Sequence, residues 1–360
     1  LDKQNKRLQE SLTAIGNGYM GMRGNFEEGY SGDTLLGTYL AGVWFPDKTR
    51  VGWWKNGYPD YFGKAINAPS FINLGITING VALDLAKNNF RDFNLQLDLH
   101  QGKLTRSFVY EAEDVAVAFE FERFVSNAMQ QAALIKVNAK VLKGAAQLRF
   151  DAALDGNVTN EDSNYDEHFW LPQHVEATKG TIQLMTKANP FDVPQFTVLL
   201  KQALKVNGDV VEGLRATSAG RLDETLNYDL AQGDSLTVEK RVIVLTSRDV
   251  APAAQADQAD RLMAELLPQS FEQALAAHEA VWAKRWAQSD VVIDGDPAAQ
   301  QGIRFSIAQL FMTYYGEDKR LNIGPKGFTG EKYGGATYWD TEAYVVPMYL
   351  AVTPPEVTRA

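Results

Sequence analysis

The chain has 360 residues, 35 Lys and Arg against 45 Asp and Glu for a formal net charge of -10, and no cysteine. With 45% hydrophobic and 22% charged residues it has the balance of a folded globular protein of two or three domains. These figures exclude disulfides, thiol nucleophiles, zinc–cysteine and iron–sulfur sites, and an acidic chain without a Lys/Arg block argues against nucleic acid or anionic membrane as a main partner.

The first seven residues, Leu-Asp-Lys-Gln-Asn-Lys-Arg, are charged and do not read as a secretory signal. No apolar run approaches the ~18 residues of a membrane-spanning helix, so no membrane is expected as a partner and a cytoplasmic location is the default expectation. From residue 25 to 248 the pattern is β. Runs at 71–78, 115–121, 133–141, 146–150, 181–185, 195–204 and 236–245 alternate or are β-branched and aromatic. Asn79-Gly80 carries the strongest short hairpin signal, and Asp155-Gly156-Asn157 and Asn207-Gly208-Asp209 mark further turns. Many short strands with few intervening helices predict a large antiparallel β-sandwich over residues 1–250, with Phe119, Phe121 and Phe124 in its core.

Residues 251–295 read as a helical linker. Apolar residues take helical spacing over 261–267, and Pro268 breaks that helix. Ser270-Phe271-Glu272-Gln273 is a capping-box pattern, followed by one apolar stripe of Phe271, Leu275, His278, Trp282 and Trp286. His278 is expected to be a packed, hydrogen-bonded histidine. A β-like segment at 291–293 comes next. Asp296 as N-cap and Pro297 at the first position then open a helix with Ile303, Ile307, Leu310, Phe311 and Tyr314 on its buried face and Gly316 as its stop. A third helix is expected from Trp339 or Asp340. Residues 296–360 therefore read as the start of an α-rich domain. The start at Leu1 and the helix-opening Thr353-Pro354-Pro355-Glu356 so near residue 360 suggest a piece of a longer protein. The fold class expected is mixed β and α, multidomain.

Chemistry concentrates between residues 322 and 342. Five glycines lie within residues 324–335, in a loop leading into a helix. Trp339, Tyr338 and Tyr333 offer flat apolar faces, and Asp340 and Glu342 offer charged acceptors. Sugars need that combination of stacking on a C–H face and acceptors for hydroxyls. A phosphate cradle is the alternative, but Gly324-Pro325-Lys326-Gly327 lacks the G-x-x-x-x-G-K-[ST] pattern. Asp340 also fits a plain helix N-cap, and Trp339 fits ordinary core packing. His100 and His174 stand alone, and no His pair has metal spacing. Tyr165-Asp166-Glu167-His168 is assigned to a solvated loop. The string from Trp53-Trp54 to Tyr61-Phe62 is either an interface with the active-site mouth or a second subunit, or a self-packed loop over the sandwich.

The run from Glu331 to Glu342, Glu-Lys-Tyr-Gly-Gly-Ala-Thr-Tyr-Trp-Asp-Thr-Glu, resembles a motif of the inverting phosphorylases of glycoside hydrolase family 65, which act on α-linked glucose disaccharides. Ile15-Gly16-Asn17-Gly18-Tyr19-Met20-Gly21-Met22-Arg23-Gly24 is similar to the opening motif of that family, and residues 42–54 resemble its maltose phosphorylase branch. Ala336, where trehalose-acting members often carry His, points the same way. The resemblance runs over essentially the whole chain. It implies a large antiparallel β-sandwich, a helical linker and an (α/α)6 catalytic barrel, of which residues 296–360 would be the first helices. It implies that Trp339 and Asp340 bind the glucosyl unit at the cleavage point; Glu342 and Tyr333 follow as substrate-binding candidates from proximity. The implied reaction is maltose plus inorganic phosphate giving β-glucose 1-phosphate and glucose with inversion, without metal or organic cofactor, in a homodimer. The implied general acid and phosphate loops lie beyond Ala360, so no catalytic residue is assigned within the chain, and the chain by itself is expected to be inactive. The alternatives are a phosphorylase or hydrolase for another α-linked glucose disaccharide (trehalose, kojibiose or nigerose), or a non-catalytic carbohydrate-binding or assembly module.

Overall fold

The alternating runs pair into two antiparallel sheets. In the computed structural model, which describes residues 1–48, 60–161 and 167–359, the larger sheet runs Trp170–Glu176, Thr181–Thr186, Thr197–Val206, Ser235–Thr246, Ala132–Lys143, Ala116–Val125, Lys103–Glu111, Asn89–Asp98 in spatial order, with Asp209–Val211 paired to Thr197–Val206. The smaller runs Leu214–Ser218, Arg221–Leu230, Ala146–Asp155, Leu74–Ile78, Val81–Ala82. Every second side chain points inward, so Ile76, Leu148, Phe150, Phe119, Phe121, Val137 and Val238 meet between the sheets.

Phe124 corrects the expectation for the core. It lies an odd number of residues beyond Phe121 and so faces out of the sandwich, where it packs on Phe271 and His278 of the linker. Asn79-Gly80 and Asn207-Gly208 form the expected hairpins. Both residues of each turn have positive φ (48° and 81°; 49° and 93°), as a two-residue type I′ turn requires. The strands at 89–98, 103–111, 170–176 and 214–230 were not anticipated, because polar and charged residues break up their apolar pattern.

The β region also begins before residue 25. Helix α1 (Lys6–Leu12) is followed by a three-stranded sheet of Ile15–Gly16, Met20–Met22 and Thr38–Leu40, in which every residue is buried. Trp44–Lys48 pairs with Tyr61–Ala65. The aromatic string singled out above falls largely on residues 49–59, outside the described residues.

The linker is two helices on the outer face of the large sheet, α2 (Gln255–Leu266) and α3 (Phe271–Ser289). Ala259, Met263, Leu266 and Phe271 pack on Leu134, Leu199, Ile243 and Leu245. The carboxyl end of α2 is held by cations. Arg241 donates to the Leu266 carbonyl at 2.6 Å and Lys205 to that of Leu267 at 3.3 Å, where the helix dipole favours positive charge. The capping box of α3 forms as the sequence indicates. His278, Trp282 and Trp286 follow on the buried stripe, and the Trp286 indole donates to the Leu99 carbonyl of a sandwich hairpin at 3.0 Å.

Helix α4 (Pro297–Thr313) starts on Asp296, whose carboxylate accepts from the N–H groups of Ala298 and Ala299. Residues 291–293 do not form a strand. The Gln300 side chain satisfies them instead, accepting from Ile293 N–H and donating to the Val291 carbonyl. Gly316 (φ 83°) lies two residues past the cap Tyr314. The third helix begins at Trp339–Asp340, as expected, passes through a single π turn at Thr341–Val345 and continues as α5 (Val346–Val352); an extended Thr353 separates it from α6 (Pro355–Arg359). Phe311 and Tyr349 complete a cluster with Trp282 and Trp286 that joins the linker to these helices. Among the described residues α4–α6 close no barrel, and no helix is long and apolar enough to cross a membrane.

Candidate functional site

The glycine loop is drawn closed at its neck. Asn322 donates to the Gly335 carbonyl at 2.9 Å, and Thr341 donates to that of Ile323 at 3.0 Å. Gly324 lies against Gly335 so closely that a Cβ would stand 2.9 Å from its Cα. Gly334 (φ 64°) rests on the strand Tyr61–Ala65, where a Cβ would collide with the Gly63 carbonyl. The preceding residue, Tyr333, holds φ at 63°, a region that non-glycine residues occupy at a cost and that clusters at functional sites.

This frame presents the predicted site residues to solvent. Tyr333, 55% exposed, meets Tyr338 edge to face with ring centroids 5.6 Å apart. Trp339 is 87% exposed, so it is not core packing in this chain. Asp340 and Glu342 are exposed. Asp340 has helical backbone angles and its side chain caps nothing, which removes the N-cap reading. The arrangement supplies flat aromatic faces beside carboxylate acceptors, the chemistry of hydroxyl-rich ligands. A 360 Å³ cavity lies behind the loop, bordered by Gly42, Trp44, Gly63, Phe328 and Gly335; none of Tyr333, Trp339, Asp340 and Glu342 lines it.

The loop is seated on the amino-terminal strands. The Phe328 side chain covers Gly16 and Gly21, and Arg23 donates to the Thr329 carbonyl. A second tie lies at the end of α4. Asp318 pairs with Arg248 at 2.8 Å and with Arg320 at 2.7 Å, and Arg320 reaches Asp249 at 2.6 Å. The hydrogen bonds from Arg320, joined by Arg248, hold the Asp318 carboxyl well below the usual range. Sequence reasoning missed both ties. The glycine spacing of residues 16–24 was the visible signal for the first; the second left none, since its partners are isolated surface-type charges.

The remaining candidates are structural. His278 is buried and bonded on both ring nitrogens, as expected. Tyr165 and Asp166 lie outside the described residues. Glu167–His168 is not loop but a two-residue strand paired with Thr159–Asn160, with Glu167 2.6 Å from the Lys187 ammonium. Among the described residues no three His, Asp or Glu side chains are grouped to hold a metal ion.

The family profile for the amino-terminal domain of glycosyl hydrolase family 65 matches residues 1–285, and that for the family's central catalytic domain matches residues 304–360. The chain belongs to glycoside hydrolase family 65. The candidate loop thus falls in the segment matched to the family's catalytic domain. The chain is 49% identical over 99% of its length to a maltose phosphorylase of Bacillus subtilis (strain 168), covering 47% of that protein. It is 25% identical over 96% of its length to a kojibiose phosphorylase of Thermoanaerobacter brockii, covering 44% of it. It therefore spans about half the length of the curated relatives it matches. A solved structure of a candidate kojibiose phosphorylase from the human microbiome superposes with a TM-score of 0.86 at 24% identity, over 99% of this chain and 46% of that one, which supports the family 65 fold.

Proposed function

We propose that this chain is the amino-terminal part of an inverting phosphorylase of family 65 that cleaves maltose with inorganic phosphate. The observation that carries the reading is the 49% identity to a maltose phosphorylase, against 24–27% for the kojibiose, trehalose and nigerose phosphorylases it also matches. Trp339 would supply an apolar wall for the glucosyl ring, and Asp340 would accept its hydroxyls and fix the attack pose, with Glu342 and Tyr333 flanking. A carboxylic acid beyond residue 360 would protonate the glycosidic oxygen. A phosphate oxygen would attack the anomeric carbon from the opposite face, giving β-glucose 1-phosphate and releasing glucose. The reading includes phosphate as co-substrate, no metal or organic cofactor, a cytoplasmic homodimer, and a sandwich, linker and barrel divided near residues 250 and 295.

The test is product analysis of the polypeptide extended to the length of its relatives, with maltose, trehalose, kojibiose and nigerose, with and without phosphate. β-Glucose 1-phosphate from maltose, only when phosphate is present, is the expected result. Phosphate-independent release of two glucose molecules would make it a hydrolase, and preference for another disaccharide would reassign the substrate.

A further inference from the structure

We infer that the amino-terminal motif over residues 15–24 is a positioning platform for the glycine loop, with Gly21 and Arg23 acting on bound sugar through Phe328 and Thr329. The kinetic part rests on the proposed sugar role of Trp339 and Asp340; the mechanical part stands without it.

Gly21 lies mid-strand in Met20–Met22, and its φ is not in the left-handed region that would itself call for glycine. What excludes a side chain there is Phe328: a Cβ at position 21 would overlap the Cβ and Cγ of that ring. Gly16, on the neighbouring strand, is closed in the same way, with a Cβ falling 2.8 Å from Phe328 Cδ2 and 2.6 Å from the Met312 carbonyl oxygen. Gly18 N–H donates to that Met312 carbonyl at 2.8 Å, which fixes the motif to the end of α4. The two glycines therefore form a flat seat whose occupant is a loop side chain from the far end of the sequence.

Arg23 adds a polar latch. Its guanidinium is buried and donates to the Leu35 carbonyl at 2.9 Å, the Arg7 carbonyl at 2.6 Å, the Ser11 hydroxyl at 2.7 Å and the Thr329 carbonyl. Three of these acceptors belong to the amino-terminal segment and hold the fork rigid, and the fourth is the loop. Because the neck bonds from Asn322 and Thr341 close the loop, its base at Phe328 and Thr329 and the residues it presents, Tyr333 and Trp339, move together. A displacement of a catalytic-site group by about 1 Å can cost on the order of a hundredfold in rate.

The experiment uses the extended polypeptide with Gly21→Ala, Phe328→Gly, their double variant and Arg23→Lys. It reads hydrogen exchange over residues 324–340 against the strand 235–246, together with KM and kcat for maltose. Gly21→Ala should quicken exchange in the loop but not in the strand, and should lower kcat/KM roughly ten- to a hundredfold, mainly through KM. In the Phe328→Gly background the same substitution should have no further effect, because both the ring and the Cβ it strikes are gone. Arg23→Lys keeps the charge, loses the fork and should loosen the loop; it serves where Gly21→Ala does not fold. Equal effects of Gly21→Ala in both backgrounds, or unchanged loop exchange in Gly21→Ala and Arg23→Lys, would overturn the platform. A loosened loop in a parent protein that cleaves no maltose would uphold the platform and overturn the maltose reading.

Discussion

His278 donates from Nε2 to the Gln101 carbonyl at 2.7 Å. A carbonyl only accepts, so the ring must carry its proton on Nε2, and Nδ1 is then free to accept the Asn127 N–H at 3.0 Å. One neutral imidazole on α3 thus fastens two hairpin turns of the large sheet.

That role makes the linker acid-sensitive. Burial, aided by the nearby Arg285 charge, pushes the His278 pKa down from 6.5 to about 4, against the opposing bond to Gln101. Between these values the unfolded chain binds the proton and the folded chain does not, so stability falls as pH drops from 6.5 to 4 and is unaffected above. The full loss is up to about 3 kcal/mol. Urea unfolding at pH 7 and pH 4.5 should show a smaller pH difference in His278→Gln than in the parent; equal differences would show that the ring is not the titrating group.

Trp339→Ala and Asp340→Asn should separate function from stability. In the extended polypeptide each should lower kcat/KM for maltose by roughly ten- to a hundredfold, with about 1.4 kcal/mol for each factor of ten. In the 360-residue chain itself Trp339 is solvent-exposed, so Trp339→Ala should leave unfolding within about 0.5 kcal/mol of the parent. Unfolding of that chain by denaturant and steady-state kinetics of the extended one check the pair.

Arg106 is the keystone of a buried ionic cluster. It bonds Glu28 at 2.7 Å and Glu27 at 2.9 Å, while Arg123 bonds Glu27 at 2.7 Å, with all four side chains buried. Burial holds the Glu28 carboxyl above its ordinary pKa despite Arg106. Arg106→Met leaves the carboxylates short of a cation and should cost about 3–5 kcal/mol. Adding Glu28→Gln should recover part of that loss in denaturant unfolding, because it removes the uncompensated charge.

Ser270→Ala removes one half of the α3 capping box, the 3.1 Å bond from Gln273 N–H to the Ser270 hydroxyl. The expected cost is about 1 kcal/mol. Gln273→Ala removes the reciprocal 2.8 Å bond and should cost less, because alanine is the better helix former at a position inside the helix, which offsets part of the loss. Denaturant midpoints of the two variants check the order.

What the sequence disclosed here was local. The capping box, the two Asn-Gly hairpins and the stripe of α3 depend on residues a few positions apart, and each appears in the structure. Phe124 was misplaced because strand alternation tells which residues share a face, but not that both faces of the large sheet are covered. The Trp339-Asp340 loop was legible as a composition, glycine with aromatics and acids, whereas its support was not. Arg23 and Thr329 lie 306 positions apart, and the Arg248–Asp318–Arg320 cluster joins charges that resemble any others on a surface.

The contact between Arg23 and Thr329 also sets an order of events during synthesis. At about 5–20 residues per second, the guanidinium waits roughly fifteen seconds to a minute for its acceptor to be made. Over that interval the glycine seat at Gly16 and Gly21 lacks its occupant, while the sandwich strands that follow can already pair. The amino-terminal motif is thus made first and completed late, and a ribosome-bound chain stopped short of residue 328 should expose this seat to chaperones and proteases.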